Sequence, residues 1–206
     1  MKKQEGLKLT GEVKIKKTSH VILSVSEGSF KKATRILKSG GVVIFPTDTI
    51  YGIGCRFDNP KAIERIYSIK GTPKNQPFPI LIADTNQIGK IAKVDQKAQR
   101  LIEKYWPGGL TIILMAKKGN QKIGFRMPDS ELVLALINKV GVPIIGTSAN
   151  FHGQPTQTSF EELNPKIVKK ADFVLKGECK LKVESTVVDA TVDPPRILRK
   201  GAVSLK

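Results

Sequence analysis

Residues 40–54 read GGVVIFPTDTIYGIG, and the fold turns on how that stretch is parsed. Residues 42–45 are apolar at every position, the pattern of a strand covered on both faces. Pro46 has no backbone N–H and ends the ladder. Thr47, Asp48 and Thr49 therefore open at the carboxyl end of a buried strand, where α/β sheets usually bind ligands. Thr47 and Thr49 can donate to a carboxylate or a phosphate while Asp48 caps the turn; an ordinary proline-containing turn explains the same residues equally well. Tyr51 and Gly52 let a ligand come close to the backbone.

Outward from this stretch, helical and strand patterns alternate. Residues 30–38 form a short amphipathic helix with Ser29 as its N-cap and Gly40-Gly41 as its stop. Asn59 caps a second helix with Pro60 at its first position and an apolar stripe of Ile63, Ile66 and Ile69. Residues 79–83 and 111–115 read as buried strands, with a helix over 95–105 between them. Ser130 opens another helix that Gly141 closes, and 142–145 is again a fully apolar strand. Residues 158–161, Thr-Ser-Phe-Glu, have the form of a capping box. Strands at 173–175, 183–190 and 196–198 complete the chain. The alternation predicts an α/β (α+β) single domain on a twisted, mixed sheet flanked by helices. The Lys-rich residues 1–19 are set apart as a basic N-terminal extension, and 20–206 as the domain.

Composition narrows the function. The 206 residues fit one domain with a real core. Lys and Arg number 35 against 18 Asp and Glu, a net charge of +17 spread along the chain. Such a field favours polyanions, nucleotides or nucleic acid, although it also serves solubility. Cys55 and Cys179 lie far apart with no CxxC, so neither a zinc site nor a disulfide framework is indicated. Polar residues follow the N-terminal Met-Lys-Lys, and no apolar run approaches the roughly 18 residues of a membrane span. The chain reads as cytoplasmic, with no membrane partner. GxxxxGKS and GxGxxG are absent, His20 and His152 have no metal-ligand spacing, and no carboxylate pair stands out as acid and base.

Further segments repeat the theme of hydroxyls and cations beside strands. Lys70 ends the Pro60 helix, where the helix dipole favours any cation. Pointed into the cleft beside Thr47 it becomes a ligand-binding group, and Lys74 is a second cation nearby. Thr111 enters a strand after the turn WPGGLT (106–111). Arg126 in FRMP (125–128) sits among apolar neighbours, where a guanidinium is costly to bury unless it meets an anion. TSAN (147–150) places Thr147, Ser148 and Asn150 after a buried strand. EST (184–186) and LRKG (198–201) add Ser185 and Arg199.

Together PTDTIYGIG, KGTP, WPGGLT, FRMP, TSAN, ESTVVD and ILRKGAV resemble the YrdC-domain family, the threonylcarbamoyl-AMP synthases, over residues 21–203. The resemblance implies a mostly parallel sheet and a nucleotidyltransferase. Its substrates would be L-threonine, bicarbonate and ATP with Mg²⁺, and its products threonylcarbamoyl-AMP and pyrophosphate. A threonylcarbamoyl transferase partner would then modify tRNA beside the anticodon. By motif position, Lys70 and Arg199 would neutralise the ATP phosphates, with Ser148, Asn150 and Thr111 on the nucleotide side. Thr47, Arg126 and Ser185 would orient threonine. Two positions depart from the family pattern. Thr72 stands where an arginine is usual, removing a charge-assisted contact worth roughly 1.5–3 kcal/mol; Lys74 is the candidate compensating cation. Leu81 stands where many members carry histidine. The alternative reading is a non-catalytic double-stranded RNA, tRNA or ribosome-binding module of the same fold.

Overall fold

Helix starts are set by polar caps. The structure, a computed structural model, describes residues 25–205, so the basic extension lies outside the described residues. Helix α1 spans Glu27–Lys38 and is capped by Ser26, whose hydroxyl oxygen accepts the Ser29 N–H. It starts three residues before the predicted position, and Ser29 lies inside its first turn. Glu27 there faces the positive end of the helix dipole and pairs with Lys31, which favours the longer helix. Asn59 and Pro60 open α2, Pro60–Lys70, and Gly71 closes it at φ +66°. Asp95 caps α3, Gln96–Tyr105, while Ser130 and Gly141 bracket α4, Glu131–Val140. The segment read as a capping box holds no helix. Glu162, not Glu161, accepts the Thr158 N–H and hydroxyl, and α5 is a single turn, Pro165–Val168, capped by Asn164.

Among the described residues, nine strands form one sheet: β1 Val43–Pro46, β2 Tyr51–Arg56, β3 Ile80–Leu81, β4 Leu110–Met115, β5 Lys122–Arg126, β6 Ile144–Ser148, β7 Phe173–Val174, β8 Thr186–Asp189 and β9 Arg196–Arg199. Their order is β7-β1-β2-β6-β3-β5-β4-β8-β9. Five of the eight pairings are antiparallel, so the sheet is mixed but not mostly parallel. The cause is connection length. The links from β1 to β2 and from β4 to β5 are too short for a crossover and must return as hairpins.

The two faces of the sheet are covered differently. On one, Ile44, Ile53, Ile112, Phe125, Ile145 and Val188 pack with Ile66 of α2, Ile102 of α3 and Ile167 of α5. On the other, Val43, Phe45, Leu81 and Ile144 pack with Leu37 of α1 and Leu136 and Ile137 of α4. Each such large apolar side chain contributes about 1.5–3 kcal/mol on burial. Helices α1 and α4 roof the second face over β7, β1, β2, β6 and β3. Beyond that roof the same face, along β5, β4, β8 and β9, lines a cavity.

Candidate functional site

The cavity encloses about 610 Å³, a volume suited to a small-molecule ligand. Its floor follows strand periodicity: Thr111 and Ile113 from β4, Lys122, Gly124 and Arg126 from β5, and Val187 and Asp189 from β8 after Ser185. The turn 47–50, the loop residues Asn75 and Gln76, the end of β6 with Ser148, and β9 form the walls.

Arg126 is buried at one side of the floor, 6% exposed. Its Nε–H donates to the Gly108 carbonyl at 2.9 Å, an Nη1–H to Thr49 Oγ1 at 2.7 Å, and Nη2 pairs with Asp48. Burial pulls the guanidinium below its ordinary pKa, and the Asp48 carboxylate opposes that pull. The anion that the sequence demanded for Arg126 is thus intramolecular. It is Asp48, read from sequence as a turn cap. A guanidinium has five N–H donors, so two remain for a ligand. Thr47 holds the turn: its hydroxyl donates to the Ile50 carbonyl at 2.8 Å and accepts the Thr49 and Ile50 N–H groups. The Thr47 and Thr49 hydroxyls lie 2.9 Å apart, and Thr49 Oγ1 accepts from Arg126.

A second cluster joins residues that the resemblance had divided between two ligands. Arg199 donates to the Ser185 carbonyl at 3.0 Å, to Ser185 Oγ at 3.1 Å and to Glu184 at 2.7 Å. Ser185 Oγ lies 2.9 Å from Thr111 Oγ1. Thr111, assigned to the nucleotide, and Ser185, assigned to threonine, are therefore neighbours.

Lys70 departs from expectation in direction. It is 4% exposed and is not among the cavity-lining residues. Its ammonium donates to the Asn150 carbonyl at 2.7 Å, to Asn150 Oδ1 at 3.1 Å and to the Ser148 carbonyl. Its three N–H donors are shared among four acceptors of the TSAN segment, the fourth being Ser148 Oγ at 3.5 Å. Ser148 lines the cavity, so Lys70 and Asn150 stand one hydrogen bond behind the wall. Burial lowers the Lys70 pKa to about 8, and the charge of Glu184 raises it in part. Lys74 is not brought to the site. It is 74% exposed in its side chain and pairs at 2.6 Å with Glu64, so it does not replace the arginine that Thr72 lacks. The Thr72 hydroxyl is buried without a partner.

Sequence reasoning missed Lys122 and Asp189, an ion pair of 2.8 Å on the floor, together with Glu184, Arg196, Asn75 and Gln76. Counting by twos from Ser185 reaches Val187 and Asp189, so period 2 was a usable signal there. Among the described residues, no group of three or more His, Cys, Asp or Glu is placed to hold a metal ion.

Fold and site define a class: a single α/β domain with a cavity on an open sheet face, lined by cations and hydroxyls. The chain belongs to the Sua5/YciO/YrdC family, whose model, described as telomere recombination, matches residues 35–201. It is 36% identical over 193 residues to a Bacillus subtilis threonylcarbamoyl-AMP synthase, covering 88% of this chain and 56% of that protein. It is 35% identical to a putative threonylcarbamoyl-AMP synthase of Methanocaldococcus jannaschii, covering 90% and 93%. The crystal structure of Pyrococcus abyssi Sua5 complexed with L-threonine superposes with a TM-score of 0.76 at 33% identity, over 84% of this chain and 54% of that one. The chain therefore spans about half the length of the Bacillus and Pyrococcus relatives and nearly all of the Methanocaldococcus one.

Proposed function

We propose that this chain is a nucleotidyltransferase that forms threonylcarbamoyl-AMP from L-threonine, bicarbonate and ATP, releasing pyrophosphate. The observation that carries the reading is one sheet face on which Arg126, with two N–H groups to spare, and the Arg199–Ser185–Thr111 cluster line a single cavity. The names of the relatives support it and do not favour a non-catalytic RNA-binding module.

The chemistry asks little of the protein beyond assembly. The threonine amine attacks bicarbonate with loss of water, and a carbamate oxygen then attacks the α-phosphorus as pyrophosphate leaves. The chain must align three anionic reactants and offset their charge. Arg126 suits the threonine carboxylate through its unused N–H pair, with Thr47 and Thr49 holding it from behind. Arg199, Thr111 and Ser148 suit the nucleotide, while Lys70 and Asn150 fix Ser148 from outside the cavity. Mg²⁺ arriving on the triphosphate fits a wall with the Ser148 hydroxyl and the Glu184 carboxylate, because Mg²⁺ typically keeps several waters and few protein ligands. It would supply charge neutralisation there. The product would pass to a threonylcarbamoyl transferase partner that modifies tRNA.

Pyrophosphate release by the purified protein with ATP and Mg²⁺ tests the reading. Release that requires both threonine and bicarbonate, and is lost in Arg199→Ala, is the expected result. Folded protein with no threonine-dependent release overturns it.

A further inference from the structure

The bulge in β9 brings a second arginine to the cavity. Strand β9 pairs antiparallel with β8 through Asp189 with Arg196, Val188 with Ile197 and Val187 with Arg199. The register shifts between Val187 and Val188, so Leu198 is an extra residue on β9. In a regular strand, residues three apart point to opposite faces. One inserted residue restores parity, and partners across an antiparallel pair share a face. Val187 and Asp189 both line the cavity, and so do their partners Arg199 and Arg196.

Arg196 also differs in charge balance from the other cations there. Lys122 pairs with Asp189, Arg126 with Asp48 and Arg199 with Glu184. Arg196 stands opposite Asp189 in the ladder but finds it occupied. One Asp189 oxygen accepts from Lys122 at 2.8 Å, and the other from Thr191 Oγ1 at 2.6 Å and Thr191 N at 3.0 Å. Among the described residues, Arg196 is the cavity-lining cation without a carboxylate partner.

We propose that Arg196 is a phosphate-binding residue for the polyphosphate chain of the nucleotide, set on the same wall as Arg199 by the β9 bulge. The inference rests on the nucleotide reading above. Two ladder steps separate the pair, about 7 Å along β8, so the two guanidinium groups address different phosphates. An unmatched planar fork is the side chain best suited to grip phosphate oxygens in pairs.

Titration calorimetry with MgATP, tripolyphosphate, AMP and L-threonine tests this in the wild type, Arg196→Ala and Arg196→Lys. Loss of one charge-assisted contact predicts that Arg196→Ala weakens MgATP and tripolyphosphate about tenfold or more. AMP and threonine should stay within about twofold, Arg196→Lys should fall between, and the unfolding midpoint should hold because the residue is exposed. Wild type that binds MgATP with Arg196→Ala binding MgATP and tripolyphosphate equally well overturns the inference alone. A matching loss for AMP overturns the polyphosphate placement. Failure of the wild type to bind MgATP overturns both this inference and the nucleotide reading.

Discussion

At the scale of single residues, Lys70 carries a charge that its surroundings oppose. Its pKa in the folded chain is about 8, against an ordinary value of 10.5. Between those values the unfolded chain holds a proton that the folded chain has shed, so this group makes stability rise with pH across that window. A polyphosphate beyond Ser148 acts the other way and favours the ammonium. Binding of MgATP near pH 8 should therefore take up protons, read as a dependence of binding enthalpy on the ionisation enthalpy of the buffer. Lys70→Met should abolish that uptake. Asp48 and Arg126 make a second prediction. Asp48→Ala leaves a buried guanidinium uncompensated and should lower stability by about 3–5 kcal/mol in denaturant melts, whereas Asp48→Ala with Arg126→Met should recover much of it. The need of Arg126 for an anion was legible in its apolar neighbours. That the anion lies 78 residues away in the PTDT turn was not, because only folding makes the contact.

Among the elements, caps were the most legible features, since a cap is a local competition for the first N–H groups of a helix. Asn59, Ser130 and Gly141 stand where the sequence puts them, whereas Ser26 rather than Ser29 caps α1. Asn59→Ala should cost about 1 kcal/mol in thermal or denaturant melts while leaving MgATP affinity unchanged. Of the strands beside the cavity, β4, β8 and β9 were legible and β5 was not. In β5, apolar Ile123 and Phe125 alternate with the cavity-facing Lys122, Gly124 and Arg126, but over only five residues, too short a run to stand out. In β2 the alternation is present as Tyr51, Ile53 and Cys55, and Gly52, read as room for a ligand, does line the cavity. Gly54 instead admits the main-chain oxygen of Ile145 and the ring of Phe45, both of which a Cβ would meet.

Across the whole molecule, the family resemblance implied a mostly parallel sheet, yet two short links and the antiparallel joins at β6 give the opposite balance. The charge of +17 was legible from the outset. It predicts association with tRNA that weakens steeply with salt, with the logarithm of the affinity falling linearly between about 50 and 200 mM; a flat response would show that the field does not contact phosphates. The cavity itself is less positive than that total suggests, because Lys122, Arg126 and Arg199 each arrive with a carboxylate attached. An incoming anion therefore meets Arg196 and the spare N–H groups of Arg126 first, and gains more only by sharing a cation with its resident carboxylate. A lone inorganic phosphate is held at one such point. A chain of linked phosphates meets several cations in one event, and after the first contact each later one is intramolecular. The matched pairs act as a toll on every second point of grip, one that linked phosphates meet and single anions do not.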